Sequence, residues 1–209
     1  MTLECYLKKK FASNKPIFLN EIRFSNRSKN WLYIEIKKLC ESGALLKHSK
    51  GIYYLPEQSK LGGYKQLNPF DIAEKKYIKS GKNVYGYYSG LGLANYVCIT
   101  EMNAATACIS TNKTSKQKII TIGSTRFIIK KAYAKVTAKN IETMRFLSTV
   151  TDMPEQFVTN AEKLSQIESF FSSKGITASS ISELIGSFPP LTSKRLIESG
   201  LIFSRIVSR

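Results

Sequence analysis

At 209 residues the chain has room for two modest domains or one larger one, and 43% hydrophobic residues with 11 Phe and 11 Tyr indicate a folded protein and exclude a disordered one. Its 32 Lys and Arg against 15 Asp and Glu give a net charge of +17, far beyond what solubility needs, and favour a polyanion as partner. No apolar run approaches the roughly 20 residues that span a bilayer, and Glu4 ahead of Lys8-Lys9-Lys10 is the wrong order for a secretory signal, so a cytoplasmic protein is expected.

Leu3, Tyr6, Leu7 and Phe11 fall at helical spacing and predict a helix over Thr2 to Ala12. Pro16-Ile17-Phe18 reads as an extended piece before a helix at Leu19 to Phe24. A longer helix follows with Ser25 as its N-cap, its apolar stripe being Leu32, Ile36, Leu39 and Cys40. Gly43 suits a left-handed terminator. Ala44 to Lys47 and Ile52 to Leu55 are β-prone runs closed by Ser49-Lys50-Gly51. Two helices and a basic-tipped hairpin make the layout of a winged helix-turn-helix over residues 1–60. Ser25, Asn26, Arg27, Ser28, Lys29 and Asn30 at the head of the long helix are its candidate DNA contacts, because that turn of a recognition helix reaches base edges and phosphates. Arg pairs two donors with guanine and Asn pairs similarly with adenine. Lys47 and Lys50, with His48, would lie along phosphates from the hairpin. The bland alternative is a small helical domain with a merely solvated first turn. Trp31 and Ile34 sit off the apolar stripe, where packing on the second domain or contact with a thymine methyl would use them.

Glu57 to Leu67 is polar and contains Gly62-Gly63, which places a linker at 61–67 and a second domain at 68–209. Asn68-Pro69 predicts the cap and first residue of a helix running through Lys79 and ended by Ser80-Gly81. Val84 to Tyr88 is β-prone and runs into Ser89 to Asn95. Thr106 to Thr111, Gln117 to Ile122 and Thr125 to Lys131 are strand candidates, with a tight hairpin at Gly123-Ser124. Helices are expected at Asn140 to Thr149, Glu155 to Ser172, Ser179 to Ile185 and Ser193 to Ser199, with Gly186 and Gly200 as stops. The expected class is α+β: an N-terminal winged helix-turn-helix, then a mixed α/β C-terminal domain with a small antiparallel β-meander and C-terminal helices. Residues 113–145 hold nine Lys/Arg and one acid, Glu142. Lys113, Lys116, Lys118, Arg126, Lys130, Lys131 and Lys135 are therefore the candidate second basic surface, its plainer reading a solvated sheet face. Strand alternation puts Arg126, Ile128 and Lys130 on one face and Phe127, Ile129 and Lys131 on the other.

Catalytic patterns fail on inspection. Cys5, Cys40, Cys98 and Cys108 form no CxxC pair and His48 is the only histidine, so packed thiols are expected, with no metal and no cofactor. Gly90-Leu91-Gly92 has Asn95 where a dinucleotide loop needs a third glycine. Gly123-Ser124 spells the start of a nucleotidyltransferase motif, yet residues 125–141 hold no Asp or Glu for Mg²⁺. Glu35-Ile36-Lys37 lacks the acidic companion of a nuclease, and a Ser-His-Asp triad would have to use His48 on the hairpin. No enzyme is expected.

The segment order carries a resemblance. Tyr87-Tyr88-Ser89-Gly90 leading into a helix, then IITIGSTRFIIKKA, all after GIYYLP, resembles the AbiEi antitoxins of bacterial abortive-infection systems. In that family an RGxY-like wing strand precedes a YxSGxxAxNLLGL-like segment and an IxIGxRxIxxxxA-like hairpin. The counterparts here are Lys50-Gly51-Ile52-Tyr53, Tyr87 to Val97, and Ile120 to Ala132. Lys50 departs from the frequent Arg, and Asn95-Tyr96-Val97 from the leucine-rich turn. The likeness covers most of the chain and rests on the order of several loose motifs. It implies an antitoxin of a type IV toxin–antitoxin system that represses its own promoter through the winged helix. The implied partners are operator DNA with inverted repeats and a nucleotidyltransferase-like toxin, countered functionally and not necessarily by contact, with no membrane. A ligand-responsive winged-helix regulator and an RNA-binding module are the rival readings.

Overall fold

A computed structural model describes residues 1–25, 27–60, 62–90, 106–204 and 206–208. The chain forms two compact units, Met1–Ile72 and Ala73–Arg209, and its class is α+β. Among the described residues no helix is long and apolar enough to cross a membrane. Asn26, Cys98 and the stretch expected to continue from Gly90 through Asn95 to Val97 lie outside the described residues.

In the first unit, α1 (Leu3–Lys10) begins where Thr2 Oγ1 accepts from Cys5 N at 3.3 Å, and it buries Leu3 and Leu7. β1 (Ile17–Phe18), α2 (Lys29–Glu41), β2 (Leu46–Ser49) and β3 (Ile52–Tyr54) follow. The sheet is antiparallel in the order β1-β3-β2, with Ile17 opposite Tyr53, Leu46 opposite Tyr54 and a bulge at His48. Gly43 and Gly51 take φ of 73° and 75°, the left-handed turns that end α2 and close the hairpin. Leu3, Leu7, Ile17, Ile36, Leu45 and Leu55 form the core, with Trp31, Leu32 and Leu39 partly buried against it.

Two expectations here are corrected. The helix expected over Leu19 to Phe24 is a single 3-10 turn, Leu19–Glu21. Glu21 Oε2 accepts from Phe18 N at 2.9 Å, and the chain then leaves helical geometry so that Phe24 packs on Tyr6 and Trp31. The cap of α2 is Ser28, not Ser25: Ser28 is extended (φ −65°, ψ 155°) and its Oγ accepts from Trp31 N at 3.2 Å. Ser25 has φ 42°, a left-handed conformation outside the extended region that an N-cap takes.

α3 (Pro69–Tyr77) starts as expected, with Asn68 Oδ1 accepting from Phe70 N at 2.9 Å. It stops two residues short of Lys79 because β4 (Lys79–Ser80) pairs with β5 (Asn83–Val84) around Gly81. β6 (Gly86–Ser89), β7 (Thr106–Thr111), β8 (Lys118–Ile122) and β9 (Thr125–Lys131) form one sheet in the order β6-β7-β9-β8, and β7 runs parallel to β9. The expected antiparallel meander is thereby corrected. Phe127 and Ile129 of β9 are fully buried and take an interior position, whereas Ile119 of β8 is 57% exposed and suits an edge. The Asn112 side chain bonds the backbone N–H and C=O of Val136, drawing the end of β7 toward the chain that leaves β9.

One sheet face packs Ile109, Phe127 and Ile129 on Ala73, Tyr77 and Ile78. The other meets α4 (Ile141–Asp152), which also packs against α6 (Ala178–Ile185) and α7 (Pro190–Glu198). The helix expected over Glu155 to Ser172 is a 3-10 turn at Glu155–Phe157 and then α5 (Ala161–Phe171), which Asn160 caps by accepting from Lys163 N at 3.0 Å. Short strands β10 (Ile176–Thr177) and β11 (Val207–Ser208) pair in parallel beside this bundle.

Candidate nucleic-acid interface

The head of α2 offers anions both backbone amides and cations. Its first turn contains no acidic residue, although helix N-termini favour them. Arg27, Ser28, Lys29 and Asn30 are exposed there, and Ser25 precedes them, also exposed. On the hairpin Lys47 and Lys50 are exposed and His48 is half-buried, its Nδ1 3.4 Å from Ser49 Oγ. The 3-10 turn that leads toward α2 is tied to the hairpin tip, since Leu19 N donates to the Gly51 carbonyl at 2.9 Å. Among the described residues no ion pair involves Arg27, Lys29, Lys47 or Lys50. Further along α2, Lys37 and Lys38 are taken up by Glu41 (3.8 Å) and Glu35 (2.7 Å). Cation pairing thus changes along one helix, whose head carries unpaired charges as the hairpin does, and among the described residues Lys9 and Arg23 of the same unit are also without an ion pair.

Sequence reasoning missed Tyr33, 53% exposed beside Ile34 at 55%. Both lie one turn beyond Lys29 and Asn30, away from the Leu32-Ile36-Leu39 stripe, and that spacing was the signal that could have found Tyr33. Trp31 packs on Phe24 within the first unit. Burial pushes the Cys40 thiol up against the pull of Lys47, and burial likewise raises Tyr53, so neither is an activated nucleophile.

In the second unit the sheet divides the seven predicted cations. Ser110 faces Lys130 and Thr106 faces Arg126 across the parallel ladder, so Arg126 and Lys130 share the face of Tyr87. Lys118 lies opposite Ile129 and joins Lys131 on the other face. Lys113 and Lys116 are exposed in the β7–β8 connection, and Lys135 is exposed beyond β9. Lys130 is half-buried with Asp152 Oδ2 at 3.6 Å, which leaves it little charge to offer a ligand. The other face gains a neighbour the sequence did not suggest. Lys76 and Lys118 each place Nζ 5.4 Å from the Tyr77 ring centre, and Lys113 Nζ lies 3.5 Å from that of Tyr85.

A buried polar chain occupies the Tyr87 face: Tyr87 Oη lies 2.8 Å from Ser148 Oγ, Ser110 Oγ donates to Ser89 Oγ at 2.9 Å, and Gly90 N donates to Asp152 at 3.0 Å. These serines are nearly inaccessible and burial raises the nearby Cys108 thiol, so the chain seats α4 on the sheet and offers no nucleophile. Among the described residues no group of three His, Cys, Asp or Glu is arranged to hold a metal ion. Comparison with protein-family models, curated proteins and solved structures found no match.

Proposed function

We propose that the first unit is a winged helix-turn-helix that binds operator DNA. On this reading the chain is the antitoxin and autorepressor of a cytoplasmic toxin–antitoxin operon, with no catalytic role of its own. The observation that carries the DNA reading is the set of unpaired cations, Arg27, Lys29, Lys47 and Lys50, at the head of α2 and on the hairpin. The order helix, strand, short turn, helix, hairpin supports the domain class, with the 3-10 turn standing where a middle helix would be. The antitoxin role rests on the resemblance of the ordered motifs, and it assigns countering of a nucleotidyltransferase-like toxin to the second domain. A groove of about 290 Å³ in the second unit is mostly apolar, lined by Ile181, Ile185, Leu196 and Ile197 with the hydroxyl residues Ser182 and Ser193, and it has no charged side chain in its lining.

The test is a gel shift with the DNA immediately upstream of the gene and with scrambled DNA of the same composition. Arg27→Ala or Asn30→Ala is expected to lose about 1–3 kcal/mol of selectivity, and Lys50→Ala to weaken both duplexes alike. Unchanged selectivity in both helix variants refutes the assignment. Growth rescue of cells expressing the product of the adjacent reading frame tests the antitoxin role.

A further inference from the structure

Trp31, the only tryptophan in the chain, sits in the first turn of α2. Its backbone N–H is held by the Ser28 cap at 3.2 Å. Its ring stacks on Phe24, with centroids 5.7 Å apart and planes 11° from parallel. Phe24 meets Tyr6 of α1 edge-on at 5.3 Å, so the stack is rooted in the helix that buries Leu3 and Leu7. At its outer end the Arg27 guanidinium carbon lies 5.4 Å from the Trp31 ring centre. These rings wall an open cleft of about 520 Å³ whose one carboxylate, Glu35, is bonded to Lys38 at 2.7 Å and leaves the Arg27 fork without an acid. The chain enters this arrangement through Ser25 at φ 42°, a conformation few residues other than Gly, Asn and Asp adopt, which persists where the surroundings over-determine it.

We propose that Trp31, backed by Phe24, is a positioning residue that holds the flat Arg27 guanidinium in the orientation needed to pair two donors with a guanine edge. The inference rests on the reading of α2 as the DNA-contacting helix. A bidentate contact needs the plane of the fork aligned with the base pair, and a long exposed arginine otherwise spreads over many rotamers. An aromatic face restricts that spread at no cost in charge, whereas a carboxylate would cancel the charge the DNA needs. A packing role alone, with Arg27 covering an apolar ring, would leave selectivity untouched by the identity of residue 31.

Because Trp31 is the sole tryptophan, its emission reports on this stack. Arg27→Ala is expected to change the emission of the free protein, and an unchanged spectrum overturns the proposal. Anisotropy titrations of the full chain then compare the duplex from upstream of the gene with a scrambled duplex. Trp31→Leu should lower the ratio of the two affinities by about two- to fivefold, the worth of an exposed cation–π contact. Trp31→Phe, which keeps a flat ring, should retain most of the ratio, and adding Trp31→Leu to Arg27→Ala should lower it no further. A folded Trp31→Leu protein with the wild-type ratio, or losses that simply add, overturns the proposal. Should Trp31→Leu fail to fold, Trp31→Met carries the test: a lowered ratio with unchanged affinity for scrambled DNA supports the proposal, and an unchanged ratio overturns it. Wild-type protein that prefers neither duplex, while Arg27→Ala still alters its emission, overturns the DNA reading itself and this inference with it.

Discussion

Tyr87 shows how one buried group ties stability to pH. Burial chiefly pushes its phenol from 10 up to about 12, with Asp152 and Tyr133 adding to the rise and hydrogen bonds to Ser148 and Ser110 opposing it. The folded chain therefore keeps this proton more tightly than the unfolded chain. The contribution is fully present below pH 10 and is lost as pH rises from 10 toward 12. A rise of this size corresponds to about 2–3 kcal/mol. Tyr87→Phe is expected to cost about 1 kcal/mol at pH 8 by leaving Ser148 without its partner, and to lose less stability than wild type above pH 10. Denaturant unfolding of both proteins at pH 8 and in the alkaline range checks this. Equal alkaline losses in the two would assign the effect to other groups.

At the scale of elements, the start of α2 turns on two serines three positions apart, either of which has the chemistry of a cap. Backbone conformation decides between them, and Ser28 alone is extended with its Oγ on Trp31 N. Ser28→Ala is therefore expected to cost about 1 kcal/mol, and Ser25→Ala much less, in thermal or denaturant unfolding. A larger loss from Ser25→Ala would return the cap to Ser25. The sequence alone points to Ser25 and so misplaces this cap, whereas other local features are legible in it. The stripe of α2, the left-handed glycines at 43 and 51, and the Asn68-Pro69 start each appear where periodicity and turn chemistry put them. Strand order is not local. Consecutive strands usually pair as neighbours, but the full burial of Phe127 and Ile129 favours β9 in the interior and leaves β8, which has no buried residue, at the edge. The candidate site divides in the same way. Exposure of Arg27 and Lys29 was legible from charge and place at the helix head, and that of Lys50 from charge and place in the hairpin turn. The placing of Lys118 over Tyr77 and the capture of Lys130 by Asp152 depend on partners distant in the sequence.

The whole molecule carries +17, and the excess is in both halves: residues 1–60 hold 12 Lys/Arg and 5 Asp/Glu, leaving 20 and 10 for the rest. If that second share touches phosphate, it does so through the face and connection that bear Lys113, Lys116, Lys118 and Lys131, all exposed. Arg126 stands across the sheet, and its neighbour Lys130 is paired with Asp152. Each phosphate a cation neutralises releases counterions, so log K falls against log salt with a slope of about −0.9 per phosphate. The full chain with Lys113, Lys116, Lys118 and Lys131 all changed to Gln is expected to show a flatter slope on the upstream duplex, by about 0.9 for each phosphate no longer neutralised. Arg126→Gln alone should change the slope by no more than about 0.9. Folding should persist in both, because exposed substitutions usually shift stability by about 0.5 kcal/mol or less, and circular dichroism checks this. A quadruple variant with the wild-type slope would show that this charge does not serve operator DNA. Loss of growth rescue in that same variant would then assign it to the toxin or to the nucleic acid on which the toxin acts.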